Sequence, residues 1–208
     1  MPSAVRECLR PKLRFTSTES AAVGQFKLIR AWKFSSIIFL AIWLAGTTTS
    51  SATDFFCLRG VNIAGAEFGG YEGRYGHRYI YPSKKTLNWA AAKRMTAIRL
   101  PFRWERLQPE LFGSFHPAEL ARLKHTVAEA NALNLNVILD PHNYAGYRRV
   151  QIGTGEVSVA AFADFWRRLA PEFAENDKVI YLLMNEPAGL TARAWFSAAQ
   201  AAIDAIRS

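Results

Sequence analysis

The chain has 208 residues, half of them hydrophobic and 13% aromatic, a composition that excludes a disordered polymer and fits a folded protein. Of its net charge of +9, five units lie in residues 1–33, where Arg6, Arg10, Lys12, Arg14, Lys27, Arg30 and Lys33 face only Glu7 and Glu19. The remainder mixes both signs without a basic stripe interleaved with aromatics, which argues against a nucleic-acid partner, and two cysteines, Cys8 and Cys57, exclude a disulfide scaffold.

Residues 1–52 read as a leader. Lys27, Arg30 and Lys33 precede the apolar run FSSIIFLAIWLA at residues 34–45, and the small, polar GTTTSSA follows. That is the order of a secretory signal peptide. The run is shorter than the ~20 residues a spanning helix needs. Ser50 and Ala52 offer a small–x–small cleavage site, and an uncut membrane anchor is the alternative. The expected location is therefore extracellular or periplasmic, with membrane contact only through this segment. Cys57 would be the lone cysteine after cleavage and reads as a small buried hydrophobe.

From residue 53 strand-like and helix-like segments alternate. FFCLRGVNIAG is a first β-leaning run, followed by a Gly- and Tyr-rich loop and a helix over residues 84–94. TAIRLPF is a second strand, expected to stop at Pro101, and WERLQPELFGSF is expected as loop. HPAELARLKHTVAEANAL is helical, with Leu120, Leu123, Val127 and Ala130 on one face and Pro117 in the first turn. NVILDPHNY is a third strand and GYRRVQIGTGE a loop. VSVAAFADFWRRLAPEFA is helical, with Phe162, Phe165, Trp166 and Leu169 on one side. KVIYLLMNEP is a fourth strand and residues 191–208 a fourth helix.

The order βαβαβαβα, with strands apolar throughout, predicts an α/β fold with a parallel sheet covered by helices. An open doubly wound sheet and a closed (β/α)8 barrel both fit. No GxGxxG turn or P-loop appears to support a nucleotide fold. Polar residues gather where strands end: Asn62 and then Glu67, Arg99, the Asp140/His142/Asn143 group, and Asn185 with Glu186. In β/α barrels that end is the catalytic face.

A carboxylate at such a rim can hold a proton through desolvation and act as a general acid. Asn, Arg and His beside it suit a polyol, and Tyr75, Tyr79, Tyr81, Trp104, Tyr144 and Tyr147 offer flat faces for sugar rings, about half of them expected to be packing. Plainer roles compete. Arg99 could merely pair with Asp140 or Glu67, and His142 could be a satisfied core histidine. Glu67 and Glu105 read as structural acids. His77, His116 and His125 have no ligand spacing, so a metal site is unsupported.

The segments RGVNIAGAEFG, IRLPFRWERLQP, VILDPHNYAGY and YLLMNEP, in this order over about residues 55–190, resemble glycoside hydrolase family five, and most nearly its secreted endo-β-1,4-glucanases. The resemblance implies a β-linked polysaccharide substrate, no cofactor, and a retaining mechanism with two carboxylates about 5–5.5 Å apart. It implies Glu186 as acid/base, Asn185 on the 2-hydroxyl at the cleavage point, and Arg99 beneath the carboxylates. His142, Asn143, Tyr144 and Trp104 would contact substrate. The nucleophilic Glu of the family lies in the second half of the barrel, and no motif here matches it. Ala188 and Gly189 stand where a His-Asp pair often follows Asn-Glu-Pro.

The expectation is thus the N-terminal half, about four β/α units, of a TIM-type (β/α)8 barrel over residues 53–208. It would lack its nucleophile and could self-associate through open strand edges. A non-catalytic carbohydrate-binding module, or a mannan-directed hydrolase of the same fold, are the alternatives.

Overall fold

The structure, a computed structural model, describes residues 58–208. The leader expected over residues 1–52, its cleavage site and Cys57 lie outside the described residues. Among the described residues no helix is long and apolar enough to cross a membrane.

Four strands form one parallel sheet in the order β1-β2-β3-β6: β1 is Gly60–Asn62, β2 Ala97–Phe102, β3 Asn136–Pro141 and β6 Val179–Tyr181. Register aligns Asn62 with Arg99 and Arg99 with Ile138. Ile180 pairs with Ile138 in turn. Every side chain in that row belongs to one face. The adjacent row, Ile98 with Val137, faces the helices and is fully buried, as are Leu100 and Leu139. The row carrying Asn62, Arg99 and Ile180 is not sealed among the described residues, and Ile180 is 38% exposed.

The helices form where the sequence caps them. Helix α1, Lys84–Ala92, starts at Ser83, whose hydroxyl accepts from the Thr86 amide, and it buries Leu87 and Ala90. It ends two residues before the expected position 94, because Arg94 turns left-handed at φ 57°. Helix α3, Pro117–Ala132, begins with proline at its first turn and buries Leu123, Val127 and Ala130; Leu120 is only partly covered. Helix α4, Val159–Leu169, is capped by Ser158 and buries Phe162, Phe165, Trp166 and Leu169, each contributing about 1.5–3 kcal/mol of hydrophobic stabilisation. A 3-10 turn, Ala170–Phe173, extends it. Helix α5, Ala192–Arg207, is capped by Thr191 and buries Ala198 and Ala202 against the fold.

Four local expectations are corrected. Strand β2 runs through Pro101 to Phe102. Ile63 N donates to Arg99 O, and His142 N donates to Phe102 O. The odd positions of β2 thus face β1 and the even ones face β3. Pro101 faces the side where β1 has already ended, so its missing N–H leaves no ladder bond unmade.

The segment from Trp104 is not all loop. Trp104–Leu107 makes a single helical turn, α2, fastened by Asn143 Oδ1, which accepts from Trp104 N at 2.9 Å. The segment after Tyr144 holds a small hairpin, β4 Gly146–Tyr147 with β5 Val150–Gln151. Its two central residues, Arg148 and Arg149, both have positive φ, the signature of a type I′ turn.

The fourth strand is also shorter than its apolar run. Regular pairing stops at Tyr181, yet Leu182 N donates to Leu139 O and Asn185 N to Pro141 O, each at 3.0 Å. The chain therefore stays beside β3 as far as Asn185.

Candidate active site

Arg99 organises the C-terminal end of the sheet. Its Nη2 lies 2.8 Å from Asp140 Oδ2, its Nη1 donates to Asn62 Oδ1 at 3.0 Å, and Nη2 also donates to Asn185 Oδ1. One guanidinium thus ties β1, β2, β3 and the segment after β6 together. The fork of donors, fixed in a plane, is what a lysine could not supply. Asp140 is fully buried and Asn185 nearly so. An unpaired carboxylate buried that far would be costly, and Arg99 offsets the cost.

The same carboxylate orients His142. Asp140 Oδ2 is 2.7 Å from His142 Nδ1, and His142 Nε2 is 3.1 Å from the Tyr144 hydroxyl. A carboxylate only accepts, so Nδ1 donates to Asp140 and the ring is held with Nε2 against Tyr144. Both plain readings therefore hold as contacts: Arg99 pairs with Asp140, and His142 is satisfied. They also place His142 and Tyr144 on one scaffold. Tyr144 is 41% exposed and sits at φ 54°. Asp140 is a further residue of this site, beyond those the sequence singles out. Its place in the network depends on register with Arg99 across two strands, which sequence spacing does not reveal.

Glu186 follows Asn185 directly, is exposed, and has φ 35°. It makes no hydrogen bond or ion pair among the described residues. The described residues leave its carboxylate open to solvent. Its left-handed backbone is costly for a non-glycine residue and turns the chain sharply where strand becomes loop. Two residues past Pro187, Gly189 has φ 73°, and a Cβ there would lie 2.7 Å from Gln151 Nε2. Glycine at that position suits the left-handed backbone of this loop, which packs on the hairpin through the Gln151 side chain.

Two expected substrate contacts are corrected. Trp104 is fully buried, packed on Tyr147, Phe162 and Phe165, with its Nε1 donating to Gln108 Oε1 at 2.8 Å. No sugar can stack on it; the α2 turn tucks it under the sheet rim. Asn143 is buried and both ends of its amide are used: Oδ1 takes Trp104 N, and Nδ2 donates to Glu105 Oε2 at 2.6 Å. It positions the rim, with its amide committed to Trp104 and Glu105.

Of the other aromatics, Tyr79, Tyr81 and Tyr147 are buried, while Tyr75 and Tyr144 are exposed. Tyr79 and Tyr81 both donate to Glu119, which Arg122 also pairs, and Arg106 lies 3.7 Å over the Tyr79 ring. Burial, with help from Glu119, pushes the Tyr79 hydroxyl up to about 12, and burial likewise raises Tyr81 well above its ordinary value. The structural acid Glu105 accepts from Arg148 N as well as from Asn143. Glu67 caps Gly65 N at 2.7 Å. Among the described residues no group of three His, Cys, Asp or Glu side chains could hold a metal.

Parallel strands in sequence order, alternating with helices and carrying polar groups at their C-terminal ends, have the arrangement of a partial β/α barrel, a fold class that places its ligands at that end. The family model described as "Cellulase (glycosyl hydrolase family 5)" matches residues 59–208. Endo-beta-1,4-glucanase A of Emericella nidulans is 38% identical over 176 residues, 83% of this chain and 52% of that protein. Among solved structures, endo-beta-1,4-glucanase Xac0029 of Xanthomonas axonopodis pv. citri superposes with a TM-score of 0.71 at 44% identity, over 72% of this chain and 48% of that one. Endoglucanase Cel5A of Pseudomonas stutzeri in complex with cellobiose gives 0.69 at 41%, over 72% and 46%. The chain belongs to glycoside hydrolase family 5. Its fold is that of the first four β/α units of the TIM-type barrel. It spans about half the length of the curated relatives it matches.

Proposed function

We propose that the chain forms the acid/base side of a retaining endo-β-1,4-glucanase site. The observation that carries this is the anchoring of Arg99 by Asn62, Asp140 and Asn185, which seats Asn185 and leaves Glu186 free and exposed beside it. Glu186 protonates the leaving glycosidic oxygen as C1–O breaks, then takes a proton from the water that completes hydrolysis. Asn185 meets the 2-hydroxyl, and His142 and Tyr144 border the sugar.

The second carboxylate of the retaining pair has no candidate in this network, since Asp140 is buried and committed to Arg99 and His142. We place the nucleophile outside the described residues. Residues 1–52 support secretion, through the basic and apolar segments of a signal peptide. The cellobiose complex of the Pseudomonas stutzeri relative supports a β-1,4-glucan as the substrate.

The test is calorimetric titration of the full chain with cellopentaose, together with hydrolysis of hydroxyethyl cellulose. Saturable binding, weakened at least tenfold in His142→Ala, is expected, with little turnover. No binding would overturn the reading. Robust turnover lost in Glu186→Gln would uphold the acid/base role and show that the nucleophile lies in this chain after all. Binding without turnover also fits the second reading, a carbohydrate-binding module, which the lone free carboxylate favours.

A further inference from the structure

Beside the hairpin lies a cavity of about 610 Å³ that the catalytic reading does not use. It adjoins the candidate site on two sides. Tyr144, whose hydroxyl meets His142, lines it, and so does Gln151, which packs on Gly189 of the Glu186 loop. A glycan passing His142 and Tyr144 would enter it.

Its charge is positive on balance, with three arginines against two carboxylates. Arg103, Arg148 and Arg149 all line it. Arg103 donates only to the carbonyls of Glu67 and His142, so no carboxylate neutralises it. Arg148 Nη2 donates to Pro109 O and lies 3.9 Å from the exposed Glu110 carboxylate. Arg149 is exposed and makes no hydrogen bond or ion pair among the described residues. Two carboxylates share the lining. Glu105 is occupied by Asn143 and Arg148 N, and Glu72, exposed, offsets one charge. The cavity is left with surplus donors and positive charge.

The backbone holds two of these arginines at a cost. Arg148 and Arg149 have φ of 48° and 70°, in a turn whose central positions favour Asn and Gly. Such strain persists where the surroundings enforce it, and it clusters at ligand sites. Here it aims a pair of guanidiniums at the cavity rim.

We propose that this cavity is a further saccharide subsite that takes the carboxylate of an acid-substituted β-glycan, with Arg149 as its principal contact and Arg103 and Arg148 setting its field. The subsite rests on the glucan-binding reading above and names a substrate class for it. Exposed charge pairs of this kind contribute up to about 1 kcal/mol each and are screened by salt. The expected effect is a preference of about three- to tenfold.

The experiment compares binding of the full chain to carboxymethyl cellulose and to neutral hydroxyethyl cellulose at low and high salt. It is repeated with Arg149→Asn, which suits a left-handed position, and with the charge-matched control Lys93→Gln at the end of α1. A carboxymethyl preference that shrinks with salt, and falls toward unity in Arg149→Asn but not in Lys93→Gln, supports the subsite. Equal binding to both polymers overturns it and leaves the glucan reading intact. An equal fall in Lys93→Gln assigns the preference to overall charge and overturns it too. Binding to neither polymer overturns both readings.

Discussion

The carboxylate of Asp140 is shared by Arg99 and His142 through a single oxygen, Oδ2, at 2.8 and 2.7 Å. The other oxygen, Oδ1, has no hydrogen-bond partner among the described residues. A fully buried carboxylate with half its acceptors unused depends heavily on the one cation beside it.

Arg99→Ala should therefore destabilise the fold by about 3–5 kcal/mol, because it strands a buried charge and frees Asn62 and Asn185 at once. Arg99→Lys should recover part of that loss, as a point charge without the fork. Chemical denaturation of the two variants checks the order, and an Arg99→Ala protein as stable as the parent would refute the anchoring role.

Trp104→Ala should cost about 3–5 kcal/mol as a core cavity. Trp104→Phe keeps most of the packing and loses the Gln108 bond. Its cellopentaose affinity should match the parent's within about twofold. A tenfold loss in a folded Trp104→Phe protein would restore the platform role that burial argues against.

Stability should fall on acidification through Asp164. Burial alone would raise this carboxyl, but hydrogen bonds from Arg168, Arg167 and Gln108 outweigh it and hold the carboxyl below its ordinary value. Between the folded and unfolded values the unfolded chain binds more protons, so stability is present above about pH 4 and is lost as pH falls further. In Asp164→Asn the melting temperature should be lower at pH 7, and its acid limb below pH 4 should be shallower than the parent's.

Gly60→Ala should loosen the sheet edge. A Cβ there would stand 2.4 Å from the backbone carbonyl oxygen of Ala97, which pairs with Gly60 in the ladder and cannot swing away. A loss of about 1–3 kcal/mol is expected, read as a drop of several degrees in the melting temperature. An unchanged melting temperature would mean that β1 contributes little to the fold.

Much of the fold was legible because its signals are local. Ser158 caps α4, and Phe162, Phe165, Trp166 and Leu169 recur at helical spacing, so the helix and its buried face follow from the order of residues alone. Pro101 misled, because its tolerance depends on β1 stopping at Asn62. The α2 turn was hidden because Asn143, 39 residues distant, fastens it.

By itself the sequence determined the alternation of strands and helices, and the family to which Asn185-Glu186-Pro187 belongs. It also placed polar residues at the strand ends, since strand direction and hydrophobic period are written in consecutive residues. Only the tertiary structure decided which of those residues face outward. Sheet register brought Arg99 onto Asp140 and Asn185, burial withdrew Trp104 and Asn143 from the substrate, and the hairpin turn set Arg148 and Arg149 at the cavity rim. Exposure and pairing are properties of neighbours across the fold, and a side chain's type does not fix them.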